Sequence, residues 1–156
     1  MKKLSHDVKV HAPIEDVWAL FDLSLKQTKR IMPNIVSVEP IEETEEMIGS
    51  SYRQVVRQKR TQQEFLIEVV EYEDTPTYKC LQTNFEIPNM LDVTNVYKME
   101  KIDDRTTTFT SKTINIPLRW DMKILLFFTG KRSVVDLCRR VQEAAEKDFG
   151  IKQNEL

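Results

Sequence analysis

Catalysis needs paired groups, and this sequence supplies few residues that its spacing could pair. A nucleophile or a general acid works only with a partner within hydrogen-bond reach. His6 and His11 are the only histidines. Five residues apart in an extended run, they point to opposite faces of a strand and cannot share a site. Cys80 and Cys138 stand in apolar strand and helix patterns without Cys-x-x-Cys spacing, and no cluster of His, Cys and carboxylate has ligand spacing. They read as two buried free thiols. Glu64, Glu68, Glu71 and Glu73 fall where a solvated sheet face or strand end is expected. Glu86 and Asp92 flank the turn at Pro88, where they would edge a cavity mouth, but nothing nearby in sequence would tune the pKa of either. With 3 glycines in the chain, a phosphate-cradling loop is not expected. No catalytic residue, metal or cofactor is therefore expected, and the residues name no reaction.

The bulk properties narrow the class of protein. A chain of 156 residues is the size of one ordinary domain, so residues 1–156 are read as a single unit with one core. The apolar fraction of 40% beside 31% charged residues is too rich in Val, Ile, Leu and Phe for disorder. A formal charge of -2 offers no global basic excess, so no nucleic-acid partner is expected. The short basic run at residues 57–60, followed by Glu64 and Glu68, reads as a solvated hairpin end. The longest apolar run, residues 124–128, is far short of the roughly 20 needed to span a bilayer, so stable membrane insertion is not expected. The N-terminus turns polar at once and has no apolar stretch of signal-peptide length, which makes the cytoplasm the expected compartment.

Whatever site exists must be positioned by the following elements. Residues 5–11 alternate in polarity and run into Ala12-Pro13, where proline suits the first turn of a helix. Ile14, Val17, Trp18, Leu20 and Phe21 then recur at helical spacing over residues 13–23. Ser24 caps a second short helix that ends before Pro33. Strand patterns follow at residues 35–41, 51–60, 64–72, 77–86, 91–102 and 106–116, with an acidic turn at residues 42–46. The short turns between them imply antiparallel neighbours. After Pro117 the period becomes helical, with Ile124, Phe128, Val135, Cys138, Val141 and Ala145 on one stripe of the longest helix. Gly130 lies inside that pattern, at a helical cost of about 1 kcal/mol relative to alanine, and marks a kink or a close contact.

The order of strand, two short helices, antiparallel strands and terminal helix comes with local sequences that have a family look. The run Val8-Lys9-Val10-His11-Ala12-Pro13-Ile14-Glu15-Asp16-Val17-Trp18 resembles the opening of the SRPBCC superfamily, which includes START-like lipid carriers and the polyketide cyclase/dehydrase group. Met32-Pro33-Asn34-Ile35-Val36-Ser37-Val38-Glu39, Gly49-Ser50-Ser51-Tyr52-Arg53 and Val69-Val70-Glu71-Tyr72-Glu73 are similar to later family segments. Arg105-Thr106-Thr107-Thr108-Phe109 echoes the family's Gly-Thr-Arg strand with Asp104 in place of the glycine. The likeness covers essentially the whole chain, and each motif reports architecture rather than chemistry. It implies an α+β helix-grip fold, with a curved antiparallel sheet of about six to seven strands and a long C-terminal helix over its concave face. Between them the family holds a cavity for lipids, sterols, quinones, polyketides or hormones.

Strand alternation then proposes a lining. Phe65, Ile67 and Val69 form the uncharged face of their strand. A register pairing Val69 with Leu81 would set Phe65 beside Phe85 and Glu71 beside Lys79, turning Leu81, Thr83 and Phe85 inward. Pairing Met99 with Phe109 puts Val93, Asn95, Tyr97, Phe109, Ser111 and Thr113 on one face. Strand 51–60 leaves both of its faces open. Ile124 and Phe128 would close the cavity from the terminal helix. The polar members either orient one ligand or bond one another across the sheet. Residues 120–128 are apolar on more faces than a surface helix needs, which fits core packing, the cavity's far end, a dimer partner or a membrane surface. The leading expectation is a monomer or homodimer that binds, carries or senses a small hydrophobic ligand. A cyclase/dehydrase or aromatase-like enzyme and a protein-interaction module are the alternatives.

Overall fold

Alternating burial makes residues 2–10 a strand, β1 (Lys2–Val10), which seals Leu4 and Val10 on one face. The computed structural model describes residues 1–127 and 130–155. Pro13 opens α1 (Ile14–Trp18): its carbonyl accepts from the Asp16 N–H at 3.0 Å. The chain then tightens into a 3-10 turn at Ala19–Phe21. Ser24 caps α2 (Leu25–Ile31) through a hydroxyl that accepts from the Gln27 N–H at 3.2 Å, which satisfies one of the four orphan donors at a helix start.

Six strands follow as a meander: β2 (Ile35–Glu42), β3 (Ser51–Gln58), β4 (Thr61–Asp74), β5 (Tyr78–Ile87), β6 (Leu91–Asp103) and β7 (Thr106–Pro117). β1 pairs beside β7, giving one antiparallel sheet in the order β1-β7-β6-β5-β4-β3-β2. The turns obey local chemistry. Lys59 and Asn89 take positive φ at two hairpin tips, and the Asp103 carboxylate accepts from the Arg105 N–H at 2.8 Å in a third. Gly49 sits at φ +88, a conformation that favours glycine.

Met99 pairs with Phe109 as expected, although the turn is Asp104-Arg105 and a one-residue shift at Ile102, between Lys101 and Asp103, is what sets that register. The β4–β5 register differs from expectation. β4 runs on to Asp74, so Asp74 pairs with Lys79 and Glu71 with Gln82, three residues from the expected register. Val70, an extra residue that bulges β4, then brings Val69 opposite Thr83, two residues from the expected Leu81. The parity of β5 survives, so Leu81, Thr83 and Phe85 still face inward, and the Phe65 and Phe85 rings meet at 5.1 Å. In β3, the strand left open above, Tyr52 and Gln54 are the buried pair.

The expected continuous terminal helix is two helices, α3 (Trp120–Phe127) and α4 (Arg132–Asn154). Gly130 falls in the interval between them, and a Cβ built there would meet nothing within 4 Å, so no close contact accounts for it. Its low helix propensity is the physical reason that fits. Of the expected stripe on α4, Cys138, Val141 and Ala145 are fully buried, whereas Val135 is exposed and Val134 is buried in its place.

α4 packs on β1 and β7 through Cys138, Val141, Ala144 and Ala145, all buried. Small residues at 144 and 145 let its backbone approach closely, and polar contacts hold this half in place. Arg30 grips Asp148 with both guanidinium nitrogens at 2.8 and 2.7 Å, Lys152 reaches buried Asp16, and the His11 N–H donates to Glu146 at 2.9 Å. Lys79, nearly sealed, bonds Asp74 and meets Glu15 at 3.0 Å beneath Trp18, tying α1 to the sheet. Around these lies one packed core that includes Val17, Val69, Met99, Phe109 and Val141.

Phe109 is 0% exposed, whereas Ile124 is 54% exposed. Phe109→Ala is therefore expected to lower unfolding free energy by about 3–5 kcal/mol, and Ile124→Ala to stay within about 0.5 kcal/mol. Urea midpoints at unchanged m would read both.

Candidate functional site

The core does not fill the space under α4. Beyond Tyr97, Leu81, Phe21 and Leu137 the interior opens into a cavity of about 520 Å3, within the size range that suits a drug-like guest. Its floor is the inward face of β3 to β7. Residues in direct register form successive rows: Leu81, Tyr97 and Ser111, then Thr83, Asn95 and Thr113, then Phe85 and Val93. Ile31 and Met32 from α2 close one side, and Ser133, Val134, Leu137 and Arg140 of α4 form the roof. A second depression, about 760 Å3, lies at the β3–β4 tip, but every residue lining it is exposed, so it is open surface rather than an enclosure.

The polar groups are the part that can recognise something. Thr113 donates its hydroxyl proton to the Asn95 side-chain oxygen at 2.9 Å, so the cross-sheet bonding expected as one of two alternatives occurs at this pair. The Asn95 amide nitrogen is thereby the group left to donate. Tyr97 stacks obliquely on Phe21 at 4.8 Å, and burial pushes its phenol well above the ordinary value, so it stays a neutral donor. Its hydroxyl has no hydrogen-bond partner among the described residues, and no fully enclosed side-chain N or O atom there lacks one. The Tyr97 oxygen therefore retains surface on the cavity. Arg140 is the one charged side chain in the lining and forms no ion pair among the described residues. A guanidinium offers five donors in a fixed fork that matches a carboxylate or an enolate pair.

Of the residues expected to line the cavity, Phe65, Ile67, Leu81, Thr83, Phe85, Asn95, Tyr97 and Ser111 do so. Val69 and Phe109 face inward but belong to the packed core beneath α4, where Cys138 and Val141 cover them. Ile124 does not reach the cavity, because α3 breaks from α4 and leaves that residue on the surface. Phe128 lies outside the described residues. Glu86 and Asp92 pair with each other on the opposite face of the sheet, one position out of phase with Phe85 and Val93, so they do not edge the mouth. Sequence reasoning missed Arg140, which looked like a solvent-facing charge. The signal available was its three-residue offset from Leu137, which places both on one helix face. It also missed Gln54 and Val56 of β3, whose strand carried no decisive alternation.

The two cysteines are buried and unpaired, and burial pushes the Cys138 thiol up to about 11. Among the described residues there is no group of three or more potential metal ligands, and no helix is long and apolar enough to cross a membrane.

No family model and no curated protein matches the sequence. Solved structures do. The ZhuI aromatase/cyclase from Streptomyces sp. R1128 superposes with TM-score 0.73 at 16% identity, over 94% of this chain and 94% of that one. Norcoclaurine synthase from Thalictrum flavum, solved with dopamine and hydroxybenzaldehyde, gives TM-score 0.68 at 11% identity over 94% and 87%. The di-domain aromatase/cyclase BexL of the BE-7585A biosynthetic pathway gives 0.69 at 18% over 99% of this chain and 48% of its own. The chain therefore has the α+β helix-grip fold of these structures.

Removing the Tyr97 hydroxyl deletes no protein hydrogen bond, while removing that of Thr113 deletes one. Tyr97→Phe is expected to keep stability within about 0.5 kcal/mol, and Thr113→Val to lose about 1–3 kcal/mol, by chemical denaturation.

Proposed function

We propose that this protein binds and carries, or senses, one small hydrophobic molecule of lipid, quinone or polyketide-like character, seated between the sheet and α4. One observation supports this reading: a half-open, mainly apolar cavity in whose lining the Tyr97 hydroxyl and the Arg140 guanidinium have no partner among the described residues. Apolar walls supply affinity in proportion to the area they remove from water, at about 25 cal/mol per Å2, and sparse polar groups fix orientation. The Tyr97 hydroxyl, the Asn95 amide and the Arg140 guanidinium are all donors, so the guest best suited to them has an acceptor-rich or anionic polar end. Two unpaired buried thiols suit a reducing compartment and support a cytoplasmic location.

A cyclase-type reaction is the second reading, favoured by the same donors, since a phenol and an amide can polarise substrate carbonyls. Against it, the lining among the described residues has no carboxylate, imidazole, thiol or amine to move a proton, so a base would have to come from the substrate or solvent.

Dansyl-undecanoic acid, whose emission rises in apolar surroundings, tests the carrier reading, together with native mass spectrometry for any copurifying molecule. Thr83→Trp, which fills the centre of the floor, is expected to abolish binding. Arg140→Met should weaken the acid about tenfold or more while sparing its methyl ester, given that hydrogen bonds to charged groups contribute about 1.5–3 kcal/mol. Absence of both a copurifying mass and dye binding to the wild-type protein would refute the reading.

A further inference from the structure

The end of the sheet that carries the cavity mouth also carries exposed apolar surface and concentrated positive charge. Antiparallel register puts the β3–β4 hairpin, the β5–β6 hairpin, the close of β7 and the start of β2 at this one end. α3 follows β7 directly, and α4 begins five residues after α3 ends. Ser133, Val134 and Gln58 bring these segments onto the cavity itself.

Trp120 is 76% exposed, with Ile124 and Leu125 each at 54% and Leu118 at 45%. Trp120 and Ile124 are four residues apart and so adjacent on one helix face. Met122 and Leu126 already bury the other face of α3, so the apolar surface at Trp120 and Ile124 is surplus to internal packing. Around it stand exposed Lys123, Lys131 and Arg132, and across the mouth Arg57, Lys59 and Arg60 at the hairpin tip. Asp121 is engaged by Arg119 at 2.9 Å and Asp136 meets Arg132 at 3.8 Å, and Glu64, Glu86 and Asp92 are fewer than the remaining cations. The opposite end carries the acidic β2–β3 loop, with Glu43, Glu45 and Glu46, and Asp103 and Asp104 at the β6–β7 turn. The net charge of -2 thus conceals two ends of opposite sign.

We propose that the cationic apolar end docks on an anionic bilayer surface, with Trp120, Ile124 and Leu125 entering the headgroup region and the cavity mouth turned toward the lipids. Tryptophan favours the membrane–water interface, and lysine and arginine beside it are drawn to anionic lipid. The acidic end is repelled, which selects one orientation. A bilayer also receives a convex apolar knob without needing a matching groove, which a protein partner would have to supply. At eight residues α3 lies on the surface and does not cross it. That docking serves to load or unload the cavity rests on the function proposed above; the docking itself does not.

The test is co-sedimentation of the full chain with vesicles of phosphatidylcholine alone or mixed with phosphatidylglycerol. Binding is expected only to the mixed vesicles and should weaken as salt is raised. Lys131→Glu with Arg132→Glu should reduce partitioning roughly 30-fold or more, from about a factor of five for each cation lost. Trp120→Ala should reduce it about tenfold, and Glu45→Lys at the far end should not reduce it. Thermal midpoints confirm that the variants remain folded, as expected for exposed positions. Equal binding to neutral vesicles, no binding to either, or binding indifferent to Trp120 would overturn the proposal. So would a lipid-free dimer that Trp120→Ala dissolves, because a second copy would then be what covers the patch. Vesicle binding by a protein that fails to bind dansyl-undecanoic acid would leave the docking intact and remove the carrier function, so the two failures are distinguishable.

Discussion

α4 is anchored along its C-terminal half and stands off the sheet along its N-terminal half, and the cavity exists because of that asymmetry. Ala144 and Ala145 bring the helix close to the sheet, where Cys138 and Val141 complete a packed core over Phe109 and Met99. The Arg30–Asp148 pair, the Lys152–Asp16 contact and the bond from the His11 N–H to Glu146 hold that half at its distance. Asp16 is almost fully buried, so losing Lys152 would leave a charge with little water around it, which makes the contact a strong positional constraint. Toward its N-terminus the helix meets the sheet through Val134 and Leu137 on either side of open space.

The interior consequently has two regimes. At the α1 end, aromatic and aliphatic side chains interdigitate and polar groups find partners in the protein: Lys79 with Asp74 and Glu15, Thr107 with the Ala12 carbonyl at 2.9 Å. At the other end the walls are still mostly apolar, but the donors of Tyr97, Asn95 and Arg140 face unfilled space. These donors keep access to the open space, so no fully enclosed side-chain N or O atom among the described residues is left without a partner.

Much of this was readable in the chain, for identifiable reasons. The β6–β7 hairpin follows from local turn chemistry around Asp103 and Asp104, and alternation gives the inward row of Asn95, Tyr97 and Ser111, while the one-residue shift at Ile102 carried no mark in the chain. Parity on β5 was equally legible, because side chains alternate with period two whatever the neighbour does. The β4–β5 register was not, since nothing in the chain marks that β4 runs on to Asp74, and Val70, the residue that bulges, looks like any other β-branched strand residue. The break between α3 and α4 hid behind a run of apolar residues in which Gly130 was the sole marker.

What the sequence determined by itself was periodicity: which residues share a face, where turns interrupt them, and therefore a sheet of antiparallel strands closed by a terminal helix. Tertiary structure decided depth. Val69, Phe109, Leu81 and Phe85 are equivalent as inward strand residues, yet the first two are sealed under α4 and the last two border the cavity. Arg140 looks like its exposed neighbour Arg139, and only the stance of α4 turns it toward the interior. The physical reason is that alternation is a property of one strand or helix, whereas a void is a property of the distance between two layers, and that distance is set by contacts far apart in sequence, such as Arg30 with Asp148.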